Sequence, residues 1–238
     1  MKKILVLLMA SIAFKWAAAQ VKEGKIIYEE KVDAHRRIPK ENEELRARMP
    51  QFRTNMFELL FADNKSLYRA KEEEPDLSEQ PQGGIVLRFG SIYNIFYKDF
   101  TTLLSIEKRE LLDKEFIVED SLRNISWKLA DGETKTILNH TCKKATGKTE
   151  RGNNVVAWYT EDIVISSGPA QFGGLPGLIL GLDVNEGEFV YTALEIGNVK
   201  KADIKVPTKG KKVTPAEFAK TRKELLGDNN NGVKIVTN

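Results

Sequence analysis

Residues 154–182 read NVVAWYTEDIVISSGPAQFGGLPGLILGL, and this stretch decides the fold. In its first seven residues Val155, Ala157 and Tyr159 fall on one face. Val156, Trp158 and Thr160 fall on the other, which is the two-residue period of a strand. A polar corner at Glu161-Asp162 follows, then a loop punctuated by Gly168, Pro169, Gly173, Gly174, Pro176 and Gly177. The chain then enters Leu178-Ile179-Leu180, an uninterrupted apolar run suited to a buried strand. Strand, corner and strand with no helical period between them mark a β protein.

The loop has a physical reading of its own. Gly168-Pro169 breaks the first strand, because a residue before proline is pushed out of helical geometry. Gly173-Gly174 admit φ values or backbone contacts that a side chain would forbid. Leu175-Pro176-Gly177-Leu178 suits a type II turn, with proline at its second position and glycine at its third. These six residues form a structural signature. The functional reading of the same stretch places Phe172, Leu175, Trp158 and Tyr159 around an apolar cavity as ligand-binding residues.

Outward from this stretch, strand signals recur at hairpin spacing. Residues 24–32, 55–61 and 66–69 are rich in β-branched and aromatic residues, and Ala62-Asp63-Asn64-Lys65 suits a hairpin turn between the last two. Further strands are expected at 85–89, 91–97, 101–107, 115–119 and 123–129, the last closed by a turn at Ala130-Asp131-Gly132-Glu133. Residues 137–150 and 153–160 form a hairpin across Arg151-Gly152. Residues 178–183 and 188–197 form another across Val184-Asn185-Glu186-Gly187. Apolar groups on both sides of 188–197 predict cover on both faces for part of its length. A last short strand is expected at 233–236.

Two helices are expected. Residues 40–49 make a short surface helix ended by Pro50, within a charge-dense solvated run. Thr214-Pro215-Ala216-Glu217 is a capping box with proline at the first helical position. It opens a helix carrying Phe218, Arg222 and Leu225 on one stripe and ending at Gly227. Residues 71–84 are a polar, acidic loop. The pattern predicts one antiparallel, strongly curved sheet or half-barrel with one or two short helices.

Residues 1–19 read as a secretory signal peptide: Lys2 and Lys3, an apolar run too short to span a bilayer, and Ala17-Ala18-Ala19 before the cut. Cleavage after Ala19 leaves a β domain over 20–238. It is expected in the periplasm or outside the cell, without a transmembrane segment and without a lipid-bearing cysteine at the cut. Of 37 basic residues, Lys2, Lys3 and Lys15 lie in the leader, which leaves 34 against 34 acids. A neutral chain gives no case for nucleic acid binding.

The chemical inventory is thin. Cys142 is the single cysteine, so no intrachain disulfide forms, and only His35 and His140 are histidines. His140 and Cys142, two apart on a strand, share a face and are the weak candidates for a soft metal, with Met49 or Met56 as further ligands. Cys142 with His140 as base, or Ser166 and Ser167, are the candidate nucleophiles. No G-x-S-x-G elbow, phosphate loop, H-E-x-x-H or dinucleotide fingerprint surrounds them. The inventory therefore predicts no enzyme, no cofactor and no metal.

The string Gly174-Leu175-Pro176-Gly177-Leu178-Ile179 resembles the hallmark of the GLPGLI family of secreted bacterial proteins. The resemblance extends over about 127–226 through W-K-L, E-T-K-T-I-L, C-K-K-A-T, A-W-Y-T-E-D-I and I-S-S-G-P in the family's order. Asn139-His140-Thr141 departs from the glycine, aromatic and basic residues usual before the family's cysteine. The resemblance implies an exported envelope protein and assigns no activity. The strand order also resembles that of periplasmic half-barrels such as the lipoprotein carriers. By that analogy a curved sheet would hold a hydrophobic small molecule or lipid. The alternative is an interaction or accessory protein for an outer-membrane partner.

Overall fold

The computed structural model of the chain describes residues 20–71, 94–123 and 125–226. Among them twelve strands join in one sheet: β1 Gly24–Asp33, β2 Phe52–Ala62, β3 Lys65–Ala70, β4 Ile95–Asp99, β5 Leu104–Leu111 and β6 Lys114–Ser121 come first. β7 Lys128–Ile137, β8 His140–Lys148, β9 Asn154–Thr160, β10 Leu178–Val184, β11 Phe189–Gly197 and β12 Lys211–Val213 follow. The helices are α1 Glu43–Arg48 and α2 Pro215–Leu226.

The order across the sheet is β12-β6-β5-β4-β3-β2-β1-β11-β10-β9-β8-β7. The first strand thus lies in the interior of the sheet. The chain runs outward by hairpins to β6, crosses to the far edge at β7, and returns by hairpins until β11 closes on β1. Ten inter-strand steps separate β6 from β7, which in a flat sheet is about 48 Å. The six residues between Ser121 and Lys128 reach at most about 25 Å. The sheet must therefore curl until its two wings face each other, although it does not close.

The inner face of this curl holds the main core, with Ile26, Tyr28, Phe57, Leu59, Tyr68 and Phe96 on the β1–β4 wing. On the outer face of the same wing Leu60, Leu67, Tyr97, Ile106 and Ile117 form a second cluster, capped by Val199 and Ile204. Alternating residues are therefore buried on both sides of these strands. The segment after β11 crosses that outer face. Lys201 fastens it, with Nζ 2.9 Å from Glu23 and 2.8 Å from Asp63.

The tight turns follow their chemistry. Asp63 and Asn64 have φ of 50° and 57°, the left-handed pair that a two-residue hairpin requires. The capping box forms as expected. Thr214 N–H donates to Glu217 Oε2 at 2.7 Å, and Glu217 N–H donates to Thr214 Oγ1 at 3.2 Å.

Five expectations are corrected. Ala130-Asp131-Gly132-Glu133 is not the end of a strand. It is an excursion within β7, where pairing jumps from Leu129↔Ala145 to Thr134↔Lys143, and the reversal comes at Leu138-Asn139. Residues 125–127 are not strand. Ile125 and Trp127 instead pack inward over β8, so closely that a Cβ on Gly147 would lie 2.6 Å from Ile125 Cγ2. Leu175-Pro176-Gly177-Leu178 is not a type II turn. Gly177 N–H donates to Leu175 O at 2.8 Å, a tighter bend about Pro176. Residues 188–197 are covered mainly on one face: Tyr191 and Ala193 are buried, Thr192 is exposed, and Leu194, which the register slip at Ile27/Tyr28 leaves without a partner in β1, is 46% exposed. The sheet is not wholly antiparallel, since β12 pairs parallel with β6.

The leader 1–19, strand 85–89, Gly227 and strand 233–236 lie outside the described residues, as does the acidic loop 71–84 apart from Lys71. No helix among the described residues is long and apolar enough to cross a membrane.

Candidate functional site

Between β9 and β10, residues 161–177 fold back onto the concave face instead of looping into solvent. Val21 fastens the start of this segment: its N–H donates to Asp162 O at 2.9 Å, and Val164 N–H donates to Val21 O at 3.0 Å. Ile163, Ile165, Phe172 and Leu175 then bury themselves in the main core. Backbone polar groups taken into such a place must find partners. Within the loop, Gly174 N–H donates to Ser166 O at 3.2 Å and Ser166 Oγ donates to Leu175 O at 2.8 Å.

Four side chains from other elements complete the accounting. Lys98 Nζ on β4 donates to Phe172 O at 2.5 Å. Trp127 Nε1, on the crossing between the wings, donates to Gly173 O at 2.8 Å. Tyr28 OH on β1 donates to Ile179 O at 2.5 Å. Ser66 Oγ on β3 and Ser167 Oγ lie 3.0 Å apart. The loop is thus tied to β3, β4 and the crossing between the wings, and Tyr28 ties the strand that follows it to β1.

The glycines fit by close approach. A Cβ on Gly177 would stand 2.0 Å from Thr160 O, and one on Gly168 would stand 2.8 Å from Ile179 Cβ. Pro169 O accepts from Phe172 N–H at 3.1 Å, while Gly173 pairs with Ser167 in an isolated bridge. Gly174 has a φ of 88°.

The four side chains expected around a cavity are not all brought together. Phe172, Leu175 and Tyr159 meet in the core, each under 5% exposed. Trp158 projects from the opposite face of β9, where the Lys135 ammonium stands 4.5 Å over its ring. Adjacent strand residues cannot share a face.

The candidate nucleophiles are committed to structure. Ser166 and Ser167 hold the loop, as above. Cys142 is fully buried, with Sγ 3.6 Å from His140 O. Burial pushes its thiol up to about 11, so thiolate is scarce at neutral pH. His140 turns to Asp162 at 2.8 Å. Met49 offers its carbonyl to His35 Nε2 at 2.9 Å, and Met56 is half-buried on β2. Among the described residues no three metal-binding side chains come together.

A second polar cluster lies further along the concave face. Asn55 Nδ2 donates to Glu30 Oε2 at 2.9 Å, and Tyr191, which pairs with Glu30 across β1 and β11, also bonds its carboxylate. Phe57 stacks on Tyr68 with centroids 5.0 Å apart, and Phe96 tilts against the same ring at 6.2 Å. The Tyr68 hydroxyl is buried without a hydrogen-bond partner among the described residues. Sequence reasoning missed this cluster and Lys98 alike. The one signal for Lys98 was its two-residue spacing from Phe96, which places both on one face of β4.

Residues 100–218, half of the chain, match the family described as N-glycanase peptide, N-terminal domain. No curated protein matches the sequence. The fold is similar to that of PNGF-II in its C2 crystal form, with a TM-score of 0.56 at 15% identity, over 88% of this chain and 33% of that one. In its P21 form the TM-score is 0.57 at 14% identity, over 88% of this chain and 34% of that one. The chain thus spans about a third of the length of PNGF-II, and at this identity the likeness is one of fold. The matched half runs from the β4–β5 turn to the start of α2 and contains the whole tethered loop. By the extent of that match, the chain belongs to the N-glycanase peptide N-terminal domain family.

Proposed function

We propose that the chain is an exported, non-catalytic binding module that accompanies an N-glycan-processing partner at the cell envelope. The observation that carries this reading is the match of residues 100–218 to an N-terminal domain of N-glycanase peptides, in a chain that spans a third of PNGF-II. The serines and the thiol support the non-catalytic part, because each is buried or bonded in holding the fold. On this reading the GLPGLI resemblance and the N-glycanase match describe one exported β architecture, a half-barrel whose concave face is the ligand face.

A second reading has its own support. The aromatic floor of Phe57, Tyr68 and Phe96, with Glu30, Asn55 and a Tyr68 hydroxyl that has no partner among the described residues beside it, suits a hydrophobic or lipid ligand with one polar end. Such a ligand would occupy this end of the concave face, because residues 161–177 fill the other.

The test uses the chain from Gln20 onward, expressed with export. Calorimetry is run with an N-glycosylated peptide and with the same peptide lacking its glycan, and release of free glycan is followed in parallel. Preferential binding of the glycosylated form without release is the expected result. Release of glycan by the chain alone would overturn the non-catalytic reading. A co-purified lipid in native mass spectrometry, with no preference for glycosylated peptide, moves the assignment to the second reading.

A further inference from the structure

Lys98 sits inside the fold, only 5% exposed. On β4 it shares a face with Phe96 and pairs across the sheet with Ser66, so its amine enters the concavity beneath the tethered loop. Nζ donates to Phe172 O at 2.5 Å. Gly173 passes so near that a Cβ there would stand 3.6 Å from Nζ. Charged, this group would surrender most of its hydration for very few acceptors, which is costly.

The groups facing it do little to offset that cost. Glu107 on β5, opposite Phe96, is held by Arg109. Asp120 on β6, opposite Ser105, is held by Arg123 at 2.6 Å. Tyr28 on β1 and Tyr68 on β3 belong to the same core cluster as Phe96, and Ser66 and Ser167 offer only hydroxyls that are already paired. The loop from Ser166 to Gly177 contains no titratable side chain.

We propose that Lys98 is a proton-controlled latch: its uncharged amine holds residues 166–175 against the sheet, and taking up a proton favours a state in which that segment lifts and the amine reaches water.

The sign follows from where the proton is bound. Burial lowers the Lys98 pKa from 10.5 to about 7, with Glu107 pulling weakly the other way. In the lifted state the amine is hydrated and returns to its ordinary value. Between the two values the lifted state carries one more proton than the latched state. The latch is therefore firmest above the ordinary value, weakens as pH falls through the window, and levels off below about 7. A difference of one proton changes the lifting equilibrium about tenfold per pH unit.

Pulse-labelling hydrogen exchange on the whole chain reads this directly. The amides of Ser167, Gly177 and Ile179 are bonded to Ile165 O, Leu175 O and Ser167 O, each across an end of the segment, and lifting frees them. After correction for intrinsic exchange, their protection is expected to rise about tenfold per pH unit from pH 7 to 10 and to stay level below 7. Amides of the β2–β3 hairpin are expected to show no such slope. In Lys98→Met and Lys98→Gln the loop amides are expected to lose their pH dependence. A flat profile in the wild-type chain overturns the latch, as does the same slope in either folded variant. A slope shared equally by the β2–β3 amides also overturns it, because the opening would then be global. The wild-type profile decides the matter alone if neither variant folds.

Discussion

A Cβ on Gly177 would lie 2.0 Å from the carbonyl oxygen of Thr160. The end of β9 and the start of β10 touch there backbone to backbone, and the bend about Pro176 is possible because residue 177 has no side chain. Gly177 also has a φ of 147°, outside what other residues adopt readily.

Gly177→Ala should therefore cost about 3 kcal/mol or more, a fall in melting temperature of about 6–12 °C. Gly187 is the control. Its φ of 89° is also positive, but a Cβ there meets nothing within 4 Å, so Gly187→Ala should cost only about 1 kcal/mol. Equal losses in thermal unfolding would show that backbone conformation matters and the Thr160 contact does not.

Cys142 should be silent in the folded chain. Its side chain is fully buried and its thiol lies well above neutral, so both access and thiolate are missing. A coloured disulfide reagent at pH 8 should label less than a tenth of the folded protein in an hour. It should label one equivalent in denaturant. Rapid labelling of folded protein would restore Cys142 as a candidate reactive centre.

What was legible in the sequence was whatever depends on neighbours in the chain. The alternation through 154–160 separates Val155, Ala157 and Tyr159 from Val156 and Trp158, and the structure buries the first three. Asp63-Asn64 and the Thr214–Glu217 box announce a turn and a helix start through chemistry spanning four residues. The partners of β1 left no such mark. Its pairing with β11 joins Tyr28 to Ala193, and nothing local to either residue encodes the other. The same holds for Lys98, whose burial is imposed by Phe172, 74 residues away. Gly132 misled for a related reason: its φ of 77° marks an excursion within a strand, and a local pattern cannot tell that from a reversal.

The edge carrying β12 should respond to acid. Glu115 on β6 lies 2.6 Å from Lys108 and 3.3 Å from Lys209. The Lys108 hydrogen bond is the larger cause holding its carboxyl below the usual range, with Lys209 adding to it. A carboxylate with a depressed folded pKa contributes stability above its unfolded value and loses it as pH falls through the folded one. The contribution of Glu115 is thus present at pH 7 and lost as pH falls through its lowered folded value. Glu115→Gln should leave a smaller drop in melting temperature between pH 7 and pH 3 than the wild-type chain shows. The two should converge at low pH, and at neutral pH in high salt. Parallel curves would remove Glu115 from the acid response.

Two of the contacts that hold helix α2 can be separated. Phe218 meets Phe116 of β6 edge to face, with centroids 5.5 Å apart, and Thr214 caps its first turn. Twelve residues are too few for a helix to persist alone in water, so the docked phenylalanine should decide whether α2 exists. Phe218→Ala should abolish most of its helical signal, seen as lost amide protection over 216–225, while the β1–β3 amides keep theirs. Thr214→Ala removes one cap, costing about 1 kcal/mol, and should fray the first turn while leaving protection near Arg222. If Phe218→Ala left α2 protected, some contact other than the Phe116 edge would be holding it. If it also melted β1–β3, α2 would be integral to the core instead of an attachment at its edge.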